Sequence, residues 1–283
     1  MPELPEVETI RRGIEREFLG LALCEIQIYE RLHLLQNCSA IALQRQLIGQ
    51  VLRAVGRRGK YLIFDFGPHS LLLHLRMSGR LLLQPMEHTR LILTFSTQKK
   101  LYFDDARRFG TLHLFRSKDL AQLQPIKELG LEPLSLSDSA KAFRQQLRTK
   151  QEIKRLLLDQ RKIAGLGNIY ANEALFRAGI HPQRAARSLT ASERRRLFEA
   201  IPAVLQRALS VGGSSIDSYR TPQGELGRFQ NEFSVYGRDG EPCPRCRMPI
   251  AHITQGGRSS YYCPHCQPIR PIAGLKKSTG GER

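Results

Sequence analysis

Apolar positions recur at two spacings along this chain, and the change from one to the other divides it. Val7, Ile10, Ile14 and Phe18 repeat at helical spacing after Pro5, and Gly20 closes the run, so residues 5–19 read as an amphipathic helix. From about residue 21 to 115 the pattern shortens to β-type runs: 61–66, 71–75, 80–83, 91–95, 101–103 and 111–115, bounded by turn residues such as Gly67-Pro68 and Ser78-Gly79. Six or more short strands in succession predict an antiparallel sandwich or barrel carrying the first helix, an α+β beginning.

The stretch Gly130 to Ser135 marks a boundary, after which the spacing turns helical again. Helical runs are expected at 140–147, at Ile153, Leu156 and Leu157, and at 168–178, where Gly179 ends the run. Gly165-Leu166-Gly167 breaks the second from the third. Thr190 with Glu193 forms a capping box ahead of Leu197, Ile201, Val204, Leu205 and Ala208. Two final alternating runs, 250–254 and 259–262, flank Gln255-Gly256-Gly257 and predict a hairpin. The division expected is 1–132, 133–232, 233–267 and a basic tail over 268–283.

Charge narrows the partners. With 44 Lys and Arg against 26 Asp and Glu, the formal charge is +18 and the chain calls for a polyanion. Nucleic acid fits better than an anionic membrane, because the N-terminus is acidic and no apolar run approaches the length of a span. No signal peptide is visible, so a soluble cytoplasmic protein, acting as a monomer, is expected. Six cysteines do not make a secreted disulfide framework here, since four fall into two C-x2-C pairs.

Those pairs, Cys243/Cys246 and Cys263/Cys266, are sixteen residues apart, a spacing that suits four thiolates around one Zn2+. An all-cysteine set leaves no open position, so the zinc is structural and His265 is left out of the ligand set. Arg258 stands beside the tip of the metal-stiffened hairpin, where it can meet phosphate. Gly165-Leu166-Gly167-Asn168 puts two glycines at a helix start, an arrangement read as a phosphate clamp on free N–H groups. Two loops, His74 to Gly79 and Asp104 to Gly110, place Met77 and Phe109 next to cations, where they can either fold onto the sheet or wedge into a base stack. At the N-terminus, removal of Met1, which the small second residue permits, would expose a secondary amine at Pro2 beside the carboxylate of Glu3. An α-amino group is a competent nucleophile near neutral pH, and its iminium with a sugar aldehyde has no N–H proton to lose.

The run Pro2-Glu3-Leu4-Pro5-Glu6-Val7-Glu8-Thr9, with Gly59-Lys60-Tyr61-Leu62, Arg107-Arg108-Phe109-Gly110, Gly165 to Glu173 and the four-cysteine ribbon, resembles the bacterial formamidopyrimidine-DNA glycosylases from Pro2 to about Gln267. The resemblance implies a β-sandwich, a helix-two-turn-helix region and a zinc ribbon holding duplex DNA that contains oxidised bases or abasic sites. It implies a bifunctional glycosylase and abasic-site lyase of base excision repair, removing 8-oxoguanine and formamidopyrimidines and cutting the strand by β,δ-elimination. By motif match Pro2 is the Schiff-base nucleophile, Glu3 protonates the sugar as the base leaves, and Lys60 and Arg258 assist elimination or grip phosphate. Asn168, His88, Arg107 and Lys150 fall where DNA contacts are expected; Met77, Arg107 and Phe109 match void-filling residues and Glu6 lines the pocket. The loop Ser218 to Glu225 reads as short for the family, which bears on base choice, and Ala106 stands where the family usually has proline. Two readings compete with an oxidised-purine enzyme: a related branch that prefers oxidised pyrimidines, and a non-catalytic zinc-dependent binder of damaged or bent DNA.

Overall fold

The computed structural model describes residues 1–29, 34–216 and 219–269, with the side chains of residues 137 and 138 left aside. The expected tail from residue 270 onward, and Ser218 at the head of the loop, lie outside the described residues.

The first helix, α1 (Leu4–Phe18), begins one residue earlier than its periodicity predicts. Its start is set by Glu3 at the N-cap, whose N–H donates to the Glu6 carboxylate at 2.8 Å. Pro5 sits in the first turn, where a missing N–H costs nothing. Val7, Ile10, Ile14 and Phe18 then face a core shared with the strands, and Phe18 meets Phe95 at 4.8 Å between ring centres.

The strands are β1 (Leu23–Ile28), β2 (Ala54–Arg58), β3 (Tyr61–Asp65), β4 (His69–His74), β5 (Arg80–Leu82), β6 (Thr89–Phe95), β7 (Lys100–Asp104) and β8 (Thr111–Arg116). They form two antiparallel four-stranded sheets, ordered β1-β6-β7-β5 and β2-β3-β4-β8. Leu62 opposite Leu73, and Leu73 opposite Leu112, put one leucine row of the second sheet into the core, where it joins Leu91, Leu93, Phe95 and Phe103 of the first. This is a sandwich. Its β1 and β2, and the short helix α2 (Ala40–Leu47), have no counterpart in the sequence reading. Only Leu43 and Leu47 are buried in α2, too few positions for a period to show.

The remaining helices are α3 (Gln124–Lys127), α4 (Ala140–Gln146), α5 (Ile153–Leu158), α6 (Asn168–Ala178) and α7 (Ala191–Ser210). Their core contains Phe143, Ile153, Leu156, Tyr170, Leu175, Leu197 and Ile201, and also Leu4 from the start of α1. The chain start is thus packed into the helical core while the rest of α1 packs on the sheets. Gly179 (φ +69) ends α6 in the left-handed conformation, and Ile180 N–H returns to Leu175 O at 3.0 Å. The capping box of Thr190 and Glu193 opens α7 as expected. A last hairpin, β9 (Ala251–Gln255) and β10 (Arg258–Tyr262), turns on Gly256 and Gly257, both at positive φ, as a two-residue turn requires. Among the described residues no helix is long and apolar enough to cross a membrane.

Candidate active site

Helix α6 organises the site from its N-terminus to its C-terminus. Its leading N–H groups have no intrahelical partner, so they need an acceptor. The acceptor is Glu3: Gly167 N–H donates to its Oε2 at 2.8 Å, Ile169 N–H to Oε1 at 3.0 Å and Tyr170 N–H to Oε2 at 3.4 Å. The phosphate-clamp reading of Gly165-Leu166-Gly167 is therefore corrected, because the protein's own carboxylate fills that anion site. The glycines serve the same contact. A Cβ on Gly167 would lie 2.2 Å from Glu3 Cδ, and one on Gly165, at φ +88, would lie 2.7 Å from Leu4 Cδ1.

Glu6 completes this buried corner. Its carboxylate accepts from the Tyr170 hydroxyl, from Ser214 N–H at 2.8 Å and from Glu3 N–H at 2.8 Å. Burial, then the neighbouring Glu3 charge, raises its pKa above the ordinary carboxylate value, while these donors pull the other way. Beside the two acids lies a cavity of about 410 Å³ lined by Met1, Pro2, Glu3, Glu6, Met77, Asn168, Tyr236 and Arg258, among others. Six of the residues singled out in the sequence, Pro2, Glu3, Glu6, Met77, Asn168 and Arg258, therefore share one wall. With Met1 in place the Pro2 nitrogen is tied up in a peptide bond, and Met1 itself borders the cavity.

Lys60, at the turn between β2 and β3, is buried and coupled to this corner. Burial is the largest influence and lowers its pKa, Glu3 and Glu6 oppose that, and Arg258 adds to it. His74 is held neutral, its pKa pushed down to about 3 by burial and by Arg76 and Lys60, and its Nδ1 accepts from Arg76 N–H at 2.9 Å. Lys154 was missed by the sequence reading. It is 1% exposed, and its Nζ donates to Ser259 O at 2.6 Å and Ser260 Oγ at 2.7 Å. Burial, then Arg258, lowers its pKa to about 7. Its signal was present, since Lys154 precedes Leu157 by three residues and so shares the buried face of α5.

Met77 and Phe109 do not fold onto the sheet: they are 41% and 51% exposed. The Arg107 guanidinium lies over the Phe109 ring at 4.8 Å. Arg107, Phe109, His88 and Lys150 are not among the cavity's lining residues. Arg107 and Lys150 are exposed, and His88 is partly buried with its backbone N–H on Asp104 Oδ1 at 2.8 Å.

The hairpin is docked on α6. Asn168 Nδ2 donates to Ser259 O at 3.1 Å, and Asn172 Oδ1 accepts from Tyr261 N–H at 2.9 Å. Glu173 accepts from the N–H groups of Ser234, Val235 and Tyr236, and Arg245 caps the C-terminal carbonyls of Phe176 and Arg177. These bonds hold Arg258 at the cavity. Behind it, the sulfurs of Cys243, Cys246, Cys263 and Cys266 lie within 4.8 Å of one another. Zn–S bonds of about 2.3 Å in a tetrahedron put sulfurs about 3.8 Å apart. The pairs Cys243–Cys266 at 3.9 Å and Cys246–Cys263 at 3.4 Å fit that size, so the four thiolates suit one structural Zn2+.

Comparison with known proteins agrees with this geometry. Residues 129–220 match the model described as the formamidopyrimidine-DNA glycosylase H2TH domain, which places the helical region in the helix-two-turn-helix class of DNA repair proteins. Residues 1–112 match the formamidopyrimidine-DNA glycosylase N-terminal domain, and residues 240–269 match a zinc finger found in FPG and IleRS. The chain is 42% identical over 273 residues to the formamidopyrimidine-DNA glycosylase of Geobacillus kaustophilus, covering 94% of this chain and 100% of the relative. A crystal structure of the MutM (Fpg) protein from Thermus thermophilus superposes with a TM-score of 0.86 at 42% identity, over 95% of this chain and 100% of that one. Lactococcus lactis Fpg, solved with DNA containing an abasic site, gives 0.85 at 36% identity over 94% and 100% of the two chains. The chain belongs to the formamidopyrimidine-DNA glycosylase family.

Proposed function

We propose that this chain excises oxidised purines from duplex DNA and then cuts the strand, through a Schiff base on Pro2 formed after removal of Met1. It is a DNA glycosylase with abasic-site lyase activity; the roles that follow rest on the shared cavity for Pro2, Glu3, Glu6, Met77, Asn168 and Arg258, and on the motif resemblance for the other residues.

The damaged nucleotide enters the cavity beside Pro2, and Met77, Arg107 and Phe109 fill the space it leaves in the stack. The Pro2 nitrogen attacks C1′ as the glycosidic bond breaks; the N–H proton it sheds passes through Glu3 to the ring oxygen so that the ring opens to an iminium, and the base that departs takes its proton from water. The resulting iminium withdraws electrons from C2′, whose proton is lost to a base. The 3′ phosphate leaves by β-elimination and the 5′ phosphate by δ-elimination, and water then releases the enzyme. Arg258 borders the cavity and Lys60 lies buried behind it, in electrostatic reach of Glu3 and Glu6; the two are assigned to the eliminations or to the flanking phosphates. Asn168, His88 and Lys150 supply further contacts to the DNA. Bound zinc supplies no step; it fixes the ends of the hairpin that carries Arg258.

One observation carries this reading: Pro2 shares a cavity with Glu3, and the Glu3 carboxylate is immobilised by three backbone N–H groups. A substrate-sized cavity with a chain-end amine beside a fixed acid is what imine chemistry on a sugar needs. Domain limits at residues 132, 232 and 267, action as a monomer and a cytoplasmic location belong to the same proposal.

Placing one glycine ahead of Pro2 tests it. The variant should bind lesion duplex with parental affinity and salt dependence but neither excise nor cut. If cleavage persisted at the parental rate, the Pro2 mechanism would be lost. A parent protein that binds damaged duplex and never cleaves it would favour the non-catalytic alternative.

A further inference from the structure

The three residues assigned to the vacated stack come from two separate loops, yet one buried carboxylate ties those loops together. Asp105 is 1% exposed, a costly place for a charge unless every oxygen is satisfied. Its Oδ1 accepts from the Ser78 hydroxyl, next to Met77, and its Oδ2 accepts from Gly110 N–H at 2.7 Å, next to Phe109. The same Ser78 oxygen accepts from Arg107 N–H at 3.2 Å, so the bridge is closed from both sides. The backbone of Asp105 is held too: its N–H donates to His88 O at 3.0 Å and its carbonyl accepts from Arg90 Nε at 3.1 Å.

The loops need this support. Each contains a non-glycine residue in the left-handed region, Arg76 at φ +56 and Arg108 at φ +59, conformations that a free loop would leave. Each is also seated by a glycine that admits no side chain: a Cβ on Gly79 would lie 2.4 Å from Leu75 O, and one on Gly110 would lie 2.3 Å from Phe103 Cζ. Met77 and Phe109 have no core around them, so their aim depends on the backbone that carries them.

We propose that Asp105, acting through Ser78 and Gly110 N–H, is a positioning residue that makes Met77, Arg107 and Phe109 one rigid wedge, and that it sets the efficiency of base extrusion more than that of strand cutting. The proposal rests on the wedge assignment above. Extrusion from a paired duplex needs the wedge to take the place of the base as it leaves the stack. A pre-formed abasic site has no base to extrude, so its cleavage depends far less on the wedge.

Single-turnover rates with a duplex carrying a paired oxidised purine, and with the same duplex carrying an abasic site, separate the two steps. Ser78→Ala removes one hook without leaving a charge unpaired by more than one donor, and Ser78→Thr keeps the hydroxyl. Ser78→Ala and Asp105→Asn should lower excision of the paired lesion at least tenfold and abasic cleavage less than threefold. Ser78→Thr should restore most of the loss. A 2-aminopurine beside the lesion should show a smaller fluorescence rise on binding for Ser78→Ala than for the parent. Thermal unfolding identifies any variant that has lost its fold, and Ser78→Ala then decides the matter alone. Equal losses on both duplexes, or an unchanged 2-aminopurine signal with lost excision, would overturn the wedge role. A parent that fails to trap on abasic DNA under borohydride would instead defeat the Pro2 reading, and the wedge proposal with it.

Discussion

Substituting Gly167 by alanine moves Glu3, the acid proposed to protonate the sugar, without straining the backbone. The residue lies at φ −128 and ψ −161, an extended conformation that alanine adopts freely. The added Cβ would, however, lie 2.2 Å from Glu3 Cδ and 2.3 Å from Oε1. Ordinary contact begins near 3.4 Å, so the carboxylate must retreat by more than 1 Å. That breaks the 2.8 Å bond from Gly167 N–H and strains the one from Ile169. Hydrogen bonds to a charged group contribute about 1.5–3 kcal/mol each, so losing most of two, with some return from water, costs about 3 kcal/mol of stability. The effect on chemistry is larger, because a displacement of about 1 Å in a reacting group costs about 100-fold in rate. Urea unfolding and single-turnover excision of an oxidised purine, run on the same preparation, measure both. Gly167→Ala excising within threefold of the parent would refute the claim that α6 holds Glu3 in its working position.

Three further outcomes follow from the same geometry. Leu4→Ala should cost about 2–5 kcal/mol in urea unfolding, because Leu4 anchors the chain start in the helical core, and a loss under 1 kcal/mol would contradict that packing. Stripping zinc with a chelator should abolish strand cutting and free the hairpin to proteolysis, since structural zinc contributes about 10–16 kcal/mol to its own fold; a chelated protein that still cuts would show that Arg258 needs no metal behind it. Lys154 has a folded pKa of about 7, below its unfolded value, so the unfolded chain binds more protons between pH 7 and about 10 and stability should rise with pH in that window, by up to about 1.4 kcal/mol per unit. The rise should vanish in Lys154→Met, and an identical pH profile in parent and variant would be the contrary result.

Much of the architecture was legible because local signals and global packing agree. Helix α6 runs from Asn168 to Ala178, as its glycine punctuation implied, and the capping box at Thr190 and Glu193 opened α7. The four-cysteine spacing carried its meaning without any structure. Where the reading missed, the deciding partner was distant in sequence. Gly165 and Gly167 looked like room for a phosphate, but Glu3 occupies that room from 164 residues away. Lys154 finds its acceptor 105 residues downstream, and Asp105 joins loops that sequence spacing treats as unrelated. Helix α2 escaped because two buried leucines do not make a period.

The proposed chemistry turns on a carbon–nitrogen bond between the Pro2 nitrogen and C1′ of a deoxyribose. Borohydride reduction of the processed protein on lesion-bearing duplex, followed by nuclease and protease digestion and peptide mass mapping, tests it directly. A reduced sugar adduct on the N-terminal peptide is expected, with fragmentation placing it on Pro2. An adduct on the peptide containing Lys60 or Lys154, or no adduct from a preparation that cuts the strand, would contradict it.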